Sequence, residues 1–573
     1  EALGEKGELE VETAAVIRAH GLEDAFSESA LADARAAIAA FDPAVSDGRE
    51  DLSAVTIVTI DPPDARDYDD AISLSYAPDG TATLGVHIAD VAHYVAEGSA
   101  LDQEAYERAT SVYFPDRAVH MFPPELSTGL CSLNPNVDRL VQSCLMEVDR
   151  QGTVVRYELQ DGVIHSNARM TYTDVKAILT DRDPDTIGRY RELVPLFEMM
   201  RDLFGILNTR RHRRGSIDFD LKEPEIVLDD EGMVEAIIAA ERNVAHRIIE
   251  EFMLLANETV AEHLDTHEVP TLYRIHEDPD PMKVEEFEEF IATLGYTLNA
   301  PPDGVKPRDF QRLVEKMRGT PEEKPIAFLM LRTMQKARYD PQNLGHFGLA
   351  ARSYTHFTSP IRRYPDLVVH RTLRESRHGK MDENRRDELT EDLPEMARHT
   401  SERERRAAEA ERELVQWKKV RFMADKVGDE FDGYITGVAA FGLFIELVEH
   451  FVEGFVHVST MADDYYRFVE RAHILRGENT GKVYRLGDRV AVQVVKVDME
   501  RRQVDLGLLE ILNRVRESEQ NRGPRRSRVD QAPRKPREAK GTVSAPAPRT
   551  SKKETRRTQR PRRKERGARK GRR

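Results

Sequence analysis

Five aspartates crowd into ten residues of the stretch Thr59-Ile-Asp-Pro-Pro-Asp-Ala-Arg-Asp-Tyr-Asp-Asp-Ala-Ile72, at Asp61, Asp64, Asp67, Asp69 and Asp70. The flanks have strand character, Ala54-Val-Thr-Ile-Val-Thr-Ile60 before them and the alternating Ala71-Ile-Ser-Leu-Ser-Tyr76 after. Pro62 and Pro63 remove two backbone donors and forbid a regular helix or a central strand through the segment. The fold must therefore present a strand-flanked loop carrying five like charges, and those charges need a counter-ion. Hard carboxylate oxygens suit Mg²⁺ or Mn²⁺, and Mg²⁺ keeps positions for water and substrate phosphate. An acidic solvated turn is the competing reading, since Asp is common in turns. A calcium-binding EF-hand loop is excluded. Counted from Asp61 its sixth and twelfth positions are Arg66 and Ile72, and counted from Asp67 they are Ile72 and Pro78, where Gly and Glu are required.

The run T-I-D-P-P-D-A-R-D-Y-D-D-A resembles the signature of the ribonuclease II/ribonuclease R (RNB) family, whose four aspartates fall on Asp61, Asp67, Asp69 and Asp70. Further blocks follow in the family's order: G-V-H-I-A-D-V-A-H-Y-V at 85–95, L-S-T-G-L-C-S-L-N-P at 126–135, R-G-S-I-D-F-D at 214–220, H-F-G-L-A from 346 and T-S-P-I-R-R-Y-P-D ending at 366. The resemblance spans about residues 1–510, and its ordered motifs outweigh the solvated-turn reading. It implies an α+β catalytic RNB domain, an all-β OB-fold domain of S1 type and a disordered basic tail. The activity it implies is processive 3′→5′ exoribonucleolysis of single-stranded and structured RNA to nucleoside 5′-monophosphates, serving RNA turnover and quality control. Asp61, Asp67 and Asp70 would then hold Mg²⁺, with Mn²⁺ as a substitute, and Asp69 would position or activate the attacking water.

A chain of 573 residues exceeds one core and suggests two to four domains. It has no run of eighteen apolar residues and no signal-like start, so no membrane association is expected. Two cysteines, Cys131 and Cys144, make neither a disulfide framework nor a zinc site, which fits a reducing cytoplasm. The net charge of −17 conceals an asymmetry: residues 516–573 hold 23 Lys/Arg against 6 Asp/Glu, while the remainder holds 62 against 96. An acidic body argues against non-specific nucleic-acid binding over its whole surface, so a polyanion must enter by a locally basic path or be captured by the tail. RNA is the expected partner of a monomer, with ribosomal or RNA-decay proteins as further partners for the tail.

In chain order, residues 1–50 read as a helical linker, with Ala14 to His20 and Ala30 to Phe41 rich in helix formers. In ribonuclease R relatives, small cold-shock-type β-barrels precede this point; the sequence in hand opens on Glu1. Residues 51–378 mix short β segments, such as Thr83 to Val95 and Val141 to Val148, with helical runs such as Ala245 to Leu264. His87, Asp90 and His93 lie among alternating apolar residues without helical i, i+4 pairing, and read as structural rather than metal-binding. The resemblance places Tyr113 and Tyr172 near an RNA 3′ end, where an aromatic face stacks on a base and a phenol beside a carboxylate reads the ribose 2′-OH. That carboxylate is Glu250 or Glu251. Phe219 is a further stacking candidate, with core packing as its alternative.

Thr358-Ser-Pro-Ile-Arg-Arg-Tyr-Pro-Asp366 leads into an apolar-periodic helix from Leu367 to Leu373, whose N-terminus would attract phosphate. The resemblance assigns Arg362 to stabilising charge in the transition state, and leaves Arg363 as an RNA contact or a structural residue. Residues 379–424 read as a charged connecting helix, too sparse in apolar residues for a coiled coil. Five short strands over 425–510, Asp432–Val438, Leu443–Leu447, Val452–Val458, Arg489–Val497 and Val504–Leu508, suggest an OB barrel, and their segments resemble an S1-type RNA-binding domain. Phe441, Phe444 and His457 are its stacking candidates. Residues 511–573 are rich in Arg, Lys, Pro, Ser and Gly with almost no large apolar side chains, and read as a disordered tail. The tail and the R-R-Y-P-D form bring the chain nearer the ribonuclease R branch than ribonuclease II. An RNA-binding or ribosome-associated factor with a degenerate nuclease domain would have lost an aspartate, and none is lost. A DNA nuclease is disfavoured by the residues that would read the 2′-OH.

Overall fold

The two strand-like flanks of the acidic loop pair with each other, Val58–Asp61 running antiparallel to Asp70–Tyr76 with Val58 opposite Ile72. The computed structural model describes residues 4, 9–42, 48–219, 223–229, 232–299, 301, 304–470 and 473–521. A seven-stranded mixed sheet is ordered Glu50–Asp51, Val154–His165, Asp138–Val148, Ala82–Ala89, Asp70–Tyr76, Val58–Asp61, Ala168–Thr171. Its inner pairs are antiparallel and its two edge pairs parallel.

Side chains alternate across a sheet, so each face needs its own cover. Ile72, Leu74, Leu84, Val86 and Met146 on one face pack against the helices Val194–Arg214 and Val244–Thr266. Ala71, Ala89 and Val141 on the other pack under Glu28–Ala40, Ala100–Arg108 and Tyr364–Arg377. His87 is buried on this second face, 2.9 Å from Ser73 Oγ and 2.8 Å from Ser143 Oγ. Gly85 makes the room: a Cβ there would lie 2.7 Å from the imidazole. Strand pairing ends at Ala89, short of the β segment expected to Val95, and Val91–Tyr94 is a helical turn.

The described part of residues 1–50 is not a linker. Helix Glu28–Ala40 starts at Ser27, whose hydroxyl accepts from the Ala30 amide, and it buries Ala30 and Ala34 in the catalytic core. Helix Leu9–Ala19 buries Val16 and Ile17 against Ala407, Ala410, Leu414 and Trp417. Those four residues belong to the helix Glu383–Met423, whose 41 residues span roughly 60 Å at 1.5 Å each. This helix carries charge outward as expected, and its apolar stripe runs from Leu389 and Leu393 in the catalytic core to Val420 and Met423 in the barrel core.

The five strands expected for an OB barrel close in the order Glu430–Ala439, Gly442–Leu447, Glu453–His457, Gln503–Leu508, Arg489–Asp498. Gly442 sits where the first two meet, since a Cβ there would lie 2.2 Å from the Val456 carbonyl oxygen. A three-stranded sheet of Tyr466–Val469, Ile474–Gly477 and Val483–Arg485, which strand periodicity did not single out, is inserted between the third and fourth strands in sequence. Helices Pro281–Thr293, Pro307–Met317 and Glu323–Thr333 form a separate small core around Phe287, Phe290, Phe310 and Met330. The tail does not begin at 511, because helix Leu509–Asn521 continues through that point; the rest of it lies outside the described residues. No helix among the described residues is long and apolar enough to cross a membrane.

Candidate active site

The loop between the first two central strands folds its aspartates back onto the sheet edge. Asp61 ends its strand opposite Thr171, and Asp70 begins the next opposite Ile88. Ser132 fastens the turn between them, its Oγ accepting from the Tyr68 amide and donating to the Arg66 carbonyl. Arg169 grips the other side, donating to the carbonyls of Pro62 and Pro63 at 2.6 and 2.8 Å. Asp64 is exposed on this turn and forms no ion pair among the described residues, unlike Asp69 with its arginine neighbour.

Burial pushes the Asp61 carboxyl up to about 8, with Asp70 adding to the rise. Burial likewise raises Asp70 to about 6, against the pull of Arg362 and Arg363. Asp69 is 4% exposed and also raised by burial, although Arg362 and the Ile361 amide favour its charge. Its Oδ1 accepts from Ile361 N–H at 2.8 Å and its Oδ2 lies 3.7 Å from Arg362 Nε. Asp67 accepts a 2.8 Å hydrogen bond from the Tyr113 hydroxyl. Among the described residues no three His, Cys, Asp or Glu side chains converge as a ready-made metal shell. The donor set nevertheless fits a hard divalent cation: Asp61 Oδ2 is buried without a hydrogen-bond partner, and after burial the charges of Asp70 and Asp67 add to the rise of the Asp61 carboxyl.

The arginine motif reaches the loop through its backbone. Ser111 N–H donates to the Arg362 carbonyl and Tyr364 N–H to that of Ala109, joining this turn to the segment that carries Tyr113. At the helix N-terminus, where a phosphate site was expected, Tyr364 spends its amide on Ala109 and Pro365 has none. Arg362 instead supplies the cation: its side chain is 42% exposed, with Nη2 donating to Ser359 Oγ. Arg363 is held differently. Its Nη2 donates to Asp366 Oδ1 at 2.8 Å in a buried pair, which favours the structural alternative over an RNA contact.

Tyr113 is 41% exposed, and its backbone N–H is held by Glu411 of the long helix. Tyr172 stacks on His246, centroids 3.8 Å apart, and the charges of Asp70, Asp61 and Glu250 act on its phenol. The two glutamates separate clearly. Glu251 is buried, with Arg211 Nε donating to both of its oxygens, whereas Glu250 is solvent-facing and paired with Arg242. Phe219, partly buried, packs on the small helical core beside Ile217, which fits its packing alternative. On the barrel, Phe441, Phe444 and His457 share one cluster with Phe455, which sequence patterns did not single out. The same holds for Arg169, Ser132 and His246. Of these only Ser132 lies inside one of the motif blocks, and the others act through contacts that no local pattern encodes.

The RNB domain model matches residues 49–378 and the S1 RNA binding domain model residues 424–509. Ribonuclease R of Aquifex aeolicus is 45% identical over 514 residues, covering 90% of this chain and 72% of that protein. Ribonuclease R of Escherichia coli is 42% identical over 471 residues, covering 81% of this chain and 57% of that protein. Among solved structures, Mycoplasma genitalium RNase R in complex with ribose methylated single-stranded RNA superposes with a TM-score of 0.82 at 30% identity, covering 88% of this chain and 79% of that one. The fold and the aspartate–arginine site thus define a class: the chain belongs to the RNB family of 3′→5′ exoribonucleases. Within it, the chain is similar to ribonuclease R.

Proposed function

We propose that this chain hydrolyses single-stranded and structured RNA processively from the 3′ end to nucleoside 5′-monophosphates, using Mg²⁺ held by Asp61, Asp67 and Asp70. The observation that carries this reading is the buried Asp69 carboxylate, placed between the Ile361 amide and the Arg362 guanidinium and beside two further raised carboxylates. When bound, Mg²⁺ would neutralise phosphate charge and favour ionisation of an attacking water. Asp69, already short of compensating charge, accepts that water's proton. Arg362, half in solvent and anchored on Ser359, donates to the phosphoryl oxygens as charge grows on them. Tyr113 offers its exposed ring to a base while its hydroxyl fixes Asp67, and Tyr172 with Glu250 reads the ribose 2′-OH. The aromatic cluster on the barrel holds the strand upstream.

RNA is the partner of a cytoplasmic monomer in this reading, and the basic tail adds phosphate contacts or ribosomal and RNA-decay partners. The test uses the same oligonucleotide sequence as RNA and as DNA, labelled at the 5′ end, with Mg²⁺ or EDTA. Conversion of full-length RNA alone to a short labelled remnant without accumulating intermediates, abolished by EDTA, with mononucleotides as the released product, is the expected result. RNA bound but left intact with Mg²⁺ present would overturn the proposal in favour of a binding factor.

A further inference from the structure

The sheet inserted in the barrel domain turns Tyr466, Leu475 and Tyr484 inward to the barrel core. Alternation sends the intervening residues outward, and three of these are the exposed Arg467, Arg476 and Arg485. Arg467 stands directly opposite Arg476 across the first pair of strands. Arg485 stands opposite Ile474, one diagonal step from Arg476. Like charges directly opposite in an antiparallel pair are destabilising. No carboxylate pairs with any of the three among the described residues, although Asp488 lies near enough to Arg485 to feel its charge. Glu478 begins the same outward row opposite Tyr465, so the face remains net positive on an acidic body.

Tyr465 completes this face. The residue is 76% exposed, while its backbone is fixed by Asp464, which accepts from the amides of Tyr465, Asn479 and Thr480. An exposed aromatic on a rigid turn beside unpaired arginines is what a single-stranded nucleic acid requires: a surface for a base and forks for phosphates. The loop that leaves the sheet is also tied to the first strand of the barrel. The Ile435 amide donates to the Asp488 carbonyl and the Gly487 amide to that of Ile435, on the strand that pairs with Phe444.

We infer that Tyr465, Arg467, Arg476 and Arg485 form a second RNA-backbone contact face, separate from the barrel's aromatic cluster and taken up by strand lying upstream of the 3′ end. It rests on the exoribonuclease reading and adds to it a determinant of substrate length. The test measures binding of a 30-nucleotide and a 6-nucleotide single-stranded RNA to the full chain over a salt series, with Asp69→Asn in every protein so that RNA stays intact. Replacing the three arginines with alanine should weaken the long RNA at least tenfold at low salt. The slope of log K against log salt should flatten by about 2, at roughly 0.7 for each single-strand phosphate no longer neutralised. The short RNA should bind as before, and arginine-to-lysine replacements should restore the slope. The thermal midpoint of the alanine variant should hold or rise, since cross-strand repulsion is removed. Unchanged slope and affinity for the long RNA would overturn the inference while leaving the nuclease reading intact. A parent protein that binds neither RNA would overturn both.

Discussion

Arg362 and Arg363 are adjacent in sequence and opposite in circumstance: one keeps its guanidinium 42% exposed beside Asp69, the other is locked to Asp366 with 17% exposed. The resemblance assigned Arg362 the transition-state role but left Arg363 between an RNA contact and a structural residue, because that choice depends on which aspartate each arginine faces in the fold. If Arg362 acts through its planar fork, Arg362→Lys should lower turnover on the order of 10²-fold with RNA affinity little changed. Equal losses in both would recast it as a binding residue. The glutamates divide the same way. Glu250 shares the space around Tyr172, while Glu251 is consumed by Arg211. Tyr172→Ala and Glu250→Gln should each shrink the rate ratio between an all-RNA strand and one with a 2′-deoxy terminus, by about 1–3 kcal/mol for a missing buried partner. An undiminished ratio in both variants would move sugar reading elsewhere. Aspartate spacing made the acidic loop legible, whereas the donors that fix it, Arg169 and the Ile361 amide, come from distant segments and leave no local trace.

The barrel strands were readable because each is long enough to alternate between a core and a wet face. The inserted strands span three or four residues and present arginine outward, too short a pattern to separate from loop. Helices at the N-terminus were readable as helices, but not as docked ones, since alanine-rich faces serve packing and solvent equally well. The turn after strand Ala82–Ala89 shows what sequence alone could place only in part. Asp90 reads as structural from its neighbours in sequence, and in the fold it joins Arg49 and Arg374, tying helix Tyr364–Arg377 to the sheet. Burial opposes its charge, yet Arg374 and Arg49 win and hold its carboxyl down at about 2. A depressed carboxyl stabilises the fold above its unfolded pKa near 4, and that contribution is lost as pH falls toward 2. The unfolding free energy from urea titrations should therefore drop across this window by an amount on the order of 2 kcal/mol. Asp90→Asn should lower the midpoint at neutral pH and flatten the acid limb. An acid limb of unchanged steepness in that variant would deny Asp90 this role.

Across the whole molecule, charge is distributed against itself, with 22 Lys/Arg and 4 Asp/Glu after residue 521 on a chain whose net charge is −17. Duplex RNA with a 3′ overhang offers phosphates beyond the strand that reaches the aspartates. Removing the residues after Asn521 should weaken its binding at low salt and flatten the salt dependence by about 0.7–0.9 log units for each phosphate the tail had neutralised. Degradation of short unstructured RNA should change little. An intact slope would point the tail toward a protein partner. In the proposed mechanism one buried carboxylate, Asp69, set between the Ile361 amide and Arg362 beside Asp61 and Asp70, drives hydrolysis at the 3′ end. That role is tested most directly by single-turnover degradation of end-labelled RNA by Asp69→Asn, with affinity measured on the same protein. The expected result is a rate at least ~10²-fold lower with RNA affinity retained or increased, because removing a general base costs rate while removing a negative charge favours a polyanion. A near-normal rate, or an equal loss of rate and affinity, would contradict it.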